Sequence, residues 1–278
     1  MTSVKTALAE GTRALVASDS ARLDAEILLS QAMQKNRTWL YTHPEAILND
    51  SEILTFQQLI SQRESGIPIA YLTKTRSFWS LELAVSEDTL IPRPETELLV
   101  ELALSLLAED VEQHLLDLGT GSGAIALACA ADRPHWHITA LDINPRALHI
   151  ARANALRLSI GNVDFMQSNW FDALPATLFD AILSNPPYLA ESDPHLLKGD
   201  VRFEPKLALV SGEKGLDAIQ QIIEQSLARL KPNGLLLIEH GFEQKTAVRS
   251  MLRDYGYKKV QCWQDWQGND RISGGWKG

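Results

Sequence analysis

The stretch Ser184-Asn185-Pro186-Pro187-Tyr188 holds residue types suited to gripping a planar amino group. A residue before proline is pushed out of the helical region, so Asn185 is expected to be extended, with its side chain projecting. Pro186 and Pro187 have fixed φ and no backbone N–H, so the turn offers carbonyl acceptors with two fewer competing donors. An Asn carbonyl beside such a turn accepts the hydrogens of an NH2 group, and the Tyr188 ring stacks on the flat group that bears it. Asn185, Pro186 and Tyr188 are therefore the candidate catalytic residues, and Pro187 completes a substrate clamp for an amide or aromatic amine. Asn-Pro and Pro-Pro are also ordinary turn punctuation, so this reading depends on what the chain places nearby.

A second constellation lies upstream. Leu115-Leu116-Asp117-Leu118 reads as a strand and Gly119-Thr120-Gly121-Ser122-Gly123 as the turn into a helix, where glycines allow a sharp bend and a close backbone approach to a ligand. Asp142, 25 residues after Asp117, falls at the end of the next strand, where a carboxylate accepts hydrogen bonds from ribose hydroxyls. The glycine spacing suits S-adenosylmethionine, but Gly119, Gly121 and Ala124 also fit the loose dinucleotide fingerprint. A clamp for NH2 suits methyl transfer to nitrogen, whereas hydride transfer has no use for one.

Both constellations need a scaffold, and residues 114 onward alternate strands and helices as a parallel α/β sheet does. Strands are expected at 115–118, 138–142, 163–166, 178–183 and 235–239, with helices at 124–131, 145–158, 215–230 and 244–255, and the run from Val260 continues the alternation. Residues 1–75 read instead as a helical domain: 21–33 and 53–63 carry apolar stripes, Asp24 and Glu26 sit where a helix dipole favours acids, and Gly66-Ile67-Pro68 ends the helices. Residues 76–92 alternate as a hairpin linker, which leaves 93–278 as the larger domain. Pro94 with Glu95 and Glu97 starts a helix, holding Arg93 in a rigid loop as a candidate substrate-binding residue.

Composition narrows the partners. The chain of 278 residues has 26 Lys and Arg against 35 Asp and Glu, a net charge of −9. Residues 1–75 carry seven basic and eight acidic side chains, so the acidity belongs mainly to the larger domain. Direct nucleic-acid binding, which draws on phosphate neutralisation, is not expected. Cys129 and Cys262 stand far apart and the seven histidines are scattered, so no metal site is indicated. No apolar run reaches membrane-helix length and no signal peptide is recognisable, so a cytoplasmic location is expected.

The combined order of a helical N-terminal domain, Ile91-Pro-Arg-Pro-Glu-Thr-Glu97, Leu116-Asp-Leu-Gly-Thr-Gly-Ser-Gly123, Asp142 and Asn185-Pro-Pro-Tyr188 resembles the peptide-chain release factor glutamine N5-methyltransferases, the HemK group, over essentially the whole chain. The resemblance implies a Rossmann-like class I S-adenosylmethionine-dependent methyltransferase sheet with a small helical domain. It implies that Gly119, Thr120, Gly121, Ser122 and Gly123 hold the methionine end of the cofactor, that Asp142 holds its ribose, and that Trp170 borders its adenine, with Asn185 beside them. Asn185 to Tyr188 would hold the glutamine of the Gly-Gly-Gln loop of a class 1 release factor, and the protein would act as a monomer. The loop Asp200-Val-Arg-Phe-Glu-Pro205 also resembles the family, with a lid as its expected role. A ribosomal-protein glutamine or an exocyclic amine of nucleic acid are the alternative substrates, since the Asn-Pro-Pro-Tyr motif is shared with adenine N6-methyltransferases.

Overall fold

A computed structural model describes residues 1–278, which divide into two units: Met1–Thr75 with His195–Phe203, and Arg76–Pro194 with Glu204–Gly278. Residues 76–92, expected as a linker, all fall in the second unit.

The first unit is built from α1 (Val4–Ala14), α2 (Ala21–Met33), α3 (Arg37–Thr42), α4 (Asp50–Glu64) and α5 (Ile69–Thr73). Val4, Leu8, Leu28, Leu29, Phe56 and Ile60 form its core. A Cβ on Gly11 would stand 2.7 Å from the Phe56 ring, so α1 and α4 approach through a glycine that costs a helix about 1 kcal/mol elsewhere. α4 opens on a capping box in which Asn49 and Glu52 satisfy each other's backbone N–H groups. Two expectations are corrected. Of Asp24 and Glu26 only Asp24 lies in the first turn of α2, and both are buried among direct donors: Ser18, Ser20 and Arg63 for Asp24, Arg22, Arg37 and Tyr41 for Glu26. Gly66-Ile67-Pro68 ends α4 but is not the last of the helices, because Pro68 is the N-cap of α5. Arg63 also donates to Asp200 at 3.0 Å, fixing the segment His195–Phe203 within this unit.

The second unit starts within β1 (Thr75–Phe78), which forms a hairpin with β2 (Leu81–Ala84), followed by a 3-10 turn at Pro94–Thr96 that runs into α6 (Glu97–Leu106). Then come β3 (His114–Leu118), α7 (Ala124–Asp132), β4 (His137–Asp142), α8 (Pro145–Arg157), β5 (Val163–Gln167) and β6 (Phe179–Ser184). The chain ends with α9 (Asp217–Arg229), β7 (Leu230–Glu239), α10 (Lys245–Asp254), β8 (Lys258–Gln264) and β9 (Asp270–Trp276). The sheet order is β5-β4-β3-β6-β7-β9-β8, parallel from β5 to β7 and antiparallel at β9 and β8. The run from Val260 thus folds as an antiparallel hairpin. Leu115, Leu116, Ile182, Leu183, Leu236 and Leu237 are fully buried between the two helix layers, as parallel strands covered on both faces require. The chain steps outward from β3 to β5 and then returns to the other side of β3 with β6. The gap between β3 and β6 is the switch point where open α/β sheets bind ligands.

Candidate active site

β3 and β6 pair in register, Leu118 opposite Ser184, so the glycine turn and Asn185 leave the sheet side by side. The Ser184 hydroxyl donates to the Leu118 carbonyl at 2.7 Å and ties the two strand ends together. On the other flank β4 pairs with β3, and the Gly119 and Thr120 N–H groups donate to the Leu141 carbonyl at 2.9 and 2.8 Å. Asp142, the glycine turn and Asn185 therefore follow one another along one edge of the sheet.

A cavity of about 260 Å³ opens at this edge. Of the cofactor residues expected from sequence, Gly119, Gly121, Asp142, Trp170 and Asn185 line it, whereas Thr120, Ser122 and Gly123 do not. Those three hold the turn instead. Thr120 donates to Asp117 at 2.6 Å, the Ser122 carbonyl accepts from Asn154, and a Cβ on Gly123 would stand 2.9 Å from Leu127 of α7. Gly121 has φ +57 and nothing within 4 Å of where a Cβ would be, so its backbone is bare toward the cavity. Asp142 accepts from the N–H groups of Gly121 and Asn144, both at 2.8 Å, and keeps lone pairs for a ligand's hydroxyls. Burial pushes its carboxyl above the usual range against those hydrogen bonds. Trp170 has φ +47, a costly conformation for a bulky residue, and its ring passes 3.7 Å from where a Gly119 Cβ would stand.

Asp117 is fully buried beneath the turn. Its Oδ2 accepts from Thr120 and Ala126 while Oδ1 has no partner, and burial raises it to about 7.

Of the expected clamp, Asn185 and Pro187 line the cavity, whereas Pro186 and Tyr188 do not. The Asn185 Nδ2 donates to Thr96 Oγ1 at 3.0 Å, and Thr96 Oγ1 donates to Glu239 Oε2 at 2.7 Å. The Tyr188 hydroxyl faces Glu239 Oε1 at 3.4 Å. Burial pushes Glu239 up to about 7, opposed by the Thr96 hydrogen bond and the Arg271 charge, and it pushes the Tyr188 phenol up too. The Tyr188 carbonyl accepts from Gln244 Nε2 at 3.0 Å and would lie 2.1 Å from a Cβ on Gly215, so the loop's exit is also held. Beyond it, the backbones of Leu189 and of Leu209 to Ser211 pair, bringing Pro205, Leu207 and Ser211 to the cavity rim.

Arg93 does not line the cavity. Its guanidinium pairs with the buried Glu204, which also accepts from the Ile91 N–H at 3.2 Å. Sequence reasoning passed over Thr96, Glu239, Asp88 and Asn144. Asp88 lines the cavity and its carbonyl accepts from Asn144 Nδ2 at 3.1 Å. Thr96 stood inside the noted Pro-Arg-Pro-Glu-Thr-Glu run, and Glu239 as a charge ending an apolar strand was the available signal. No group of three His, Cys, Asp or Glu is arranged to hold a metal ion, and no helix is long and apolar enough to cross a membrane.

The sheet order, the switch-point cavity and the glycine turn define a class I S-adenosylmethionine-dependent methyltransferase, and residues 95–198 match the family described as methyltransferase small domain. Solved structures share the fold: a methyltransferase from Pyrococcus furiosus (TM-score 0.56, 19% identity, 73% of this chain and 91% of that one) and the hMettl16 catalytic domain (TM-score 0.58, 16% identity, 82% of each). Residues 6–73 match the PrmC N-terminal domain. The chain is 47% identical over 262 residues to the release factor glutamine methyltransferase of Shewanella oneidensis, covering 94% of this chain and 91% of the relative. To that of Escherichia coli it is 48% identical over 266 residues, covering 96% of each. The chain belongs to the release factor glutamine methyltransferase family.

Proposed function

We propose that the protein transfers a methyl group from S-adenosylmethionine to the side-chain amide nitrogen of the glutamine in the Gly-Gly-Gln motif of class 1 peptide-chain release factors. The observation that carries this reading is the seating of Asn185-Pro-Pro-Tyr188 beside the cavity at the β3/β6 switch point, in a chain alike over nearly its full length to release factor glutamine methyltransferases. The cavity residues fit the cofactor: bare backbone at Gly121, a carboxylate with spare lone pairs at Asp142 and an aromatic wall at Trp170. When bound, S-adenosylmethionine supplies a sulfonium methyl that is already activated. Asp142 would hold the ribose, Gly119 and Gly121 the methionine end, and Trp170 the adenine.

The protein's remaining task is to present a poor nucleophile, since an amide nitrogen shares its lone pair with its carbonyl. Asn185 Oδ1 and the Pro186 carbonyl would accept the two NH2 hydrogens, raising electron density on nitrogen and aiming it, while Tyr188 backs the loop. Alignment of this kind contributes about 7 to 11 kcal/mol in well-oriented reactions. The proton lost after transfer passes to water, so the scheme needs no general base.

The test is transfer of labelled methyl from the cofactor to purified class 1 release factors, with a ribosomal protein and RNA as competitors, followed by peptide mapping. Label on the Gly-Gly-Gln glutamine is expected, and label confined to ribosomal protein or RNA would overturn the assignment.

A further inference from the structure

We infer that Thr96 and Glu239 are positioning residues that set which way round the Asn185 amide lies, so that its carbonyl rather than its NH2 meets the substrate nitrogen. This inference rests on the proposed clamp and deepens it.

An Asn amide turned by 180° about its last torsion keeps nearly the same shape but exchanges donor for acceptor. In the turned state Asn185 would face a substrate NH2 with its own NH2, two donors against each other. Nothing in the Asn-Pro-Pro-Tyr loop selects one state, so the choice falls to whatever touches the amide from behind. That neighbour is Thr96, whose oxygen lies 3.0 Å from Nδ2. A threonine hydroxyl has a single proton, and here it is directed to Glu239 Oε2 at 2.7 Å. Its oxygen is thereby left to accept, and only the NH2 side of Asn185 has hydrogens to give.

Glu239 is the root of this chain. It occupies the last position of β7, opposite Ile272 of β9. Thr96 and Glu239 are 4% and 1% exposed, so water does not compete for either bond. Either ionisation state of Glu239 serves, because a proton carried on Oε1 still leaves Oε2 an acceptor for Thr96. Since Oε1 faces the Tyr188 hydroxyl at 3.4 Å, one carboxyl backs both ends of the clamp. The helix start at Pro94–Thr96 is what delivers Thr96 to this place, which accounts for a threonine between two acids in that run.

The experiment compares wild type, Thr96→Val, Thr96→Ser and Glu239→Leu for methyl transfer to a purified class 1 release factor, with kcat and KM separated and cofactor affinity measured by calorimetry. Thr96→Val, close in shape but unable to accept, is expected to lower kcat about tenfold or more with cofactor affinity unchanged. Thr96→Ser restores the hydroxyl and should stay within about threefold of wild type, whereas Glu239→Leu takes away the acceptor of the Thr96 proton and should lower kcat severalfold with cofactor affinity unchanged, a wild-type kcat there counting against the role of Glu239. In an Asn185→Ala background, Thr96→Val should cost nothing further, since residues acting through one group are not additive. Wild-type kcat in Thr96→Val, an equal loss in Thr96→Ser, or a further full loss in the Asn185→Ala background would each overturn the inference. A wild-type protein inert on the release factor would overturn the functional reading as well, whereas the variant outcomes overturn this inference alone.

Discussion

The turn after β3 and the turn after β6 leave neighbouring strands on one edge of the same sheet, yet the partners that hold them come from different distances along the chain. The glycine turn bends through its own residues: Gly119, Gly121 and Gly123 take positive φ, Thr120 donates to Asp117 three residues back, and the Gly123 N–H returns to the Thr120 carbonyl, while its further ties, to Leu141, Asp142 and Asn154, reach no more than 32 residues along the chain. The clamp is held from afar, by Thr96 at 89 residues' separation and by Gln244 at 56. A surface that would meet a flexible cofactor mainly through bare backbone needs a bend, which its own glycines and the neighbouring strand end supply. A surface that must aim one amide at another needs its side-chain orientation imposed from outside, and that demands partners brought in by the fold.

The difference is open to attack at four points. Asn185→Ala removes the acceptor itself and should cost about 3 kcal/mol in kcat, comparable to deleting one positioned donor in an oxyanion hole, with cofactor affinity intact by calorimetry; a near wild-type rate would dissolve the distinction. Asp142→Ala attacks the other side and should weaken cofactor binding by roughly 1.5 to 3 kcal/mol, the range for hydrogen bonds to a charged group, with unchanged affinity counting against the ribose assignment. Gly215→Ala tests the distant support of the clamp, because its Cβ would lie 2.1 Å from the Tyr188 carbonyl at a φ of +68. A loss of roughly 1 to 3 kcal/mol in stability or kcat is expected, with cofactor affinity the least affected.

The mildest test treats the two turns alike. Asp117 and Glu239 each lie buried behind one turn, raised by desolvation from 3.8 and 4.5 to about 7. Both bind a proton more tightly folded than unfolded. Their contribution to stability is complete below the unfolded values and is lost as pH rises through about 7. Asp117→Asn and Glu239→Gln should each flatten the fall of the thermal midpoint with pH across that window, and a curve unchanged from wild type would show that the carboxyl is not raised.

What the sequence made legible follows the same division. The glycine turn, Asp142 and the Asn-Pro-Pro-Tyr loop are local patterns, and the alternation of strands and helices placed them at strand ends as found. The bond from Thr96 to Glu239 spans 143 residues and that from Arg93 to Glu204 spans 111, so no window of sequence contains either pair. Arg93 attracted attention as a rigidly presented cation; its carboxylate partner became visible only once the chain had folded back. The family resemblance takes the turn Gly119 to Gly123 as a whole, although successive positions of a tight turn face different ways and only Gly119 and Gly121 of the five line the cavity.

The segment His195–Phe203, secured through Asp200 to Arg63, has a practical consequence. The helical unit is not a cassette that ends at Thr75, since the chain enters it a second time after the Asn-Pro-Pro-Tyr loop. Grafting residues 1–75 onto another catalytic unit, or deleting them, would strip Arg63 of Asp200 in one half and leave nine residues without their docking site in the other. A transferable helical unit therefore has to be exchanged as two pieces of chain, which ties inheritance of the N-terminal helices to inheritance of a loop more than a hundred residues downstream.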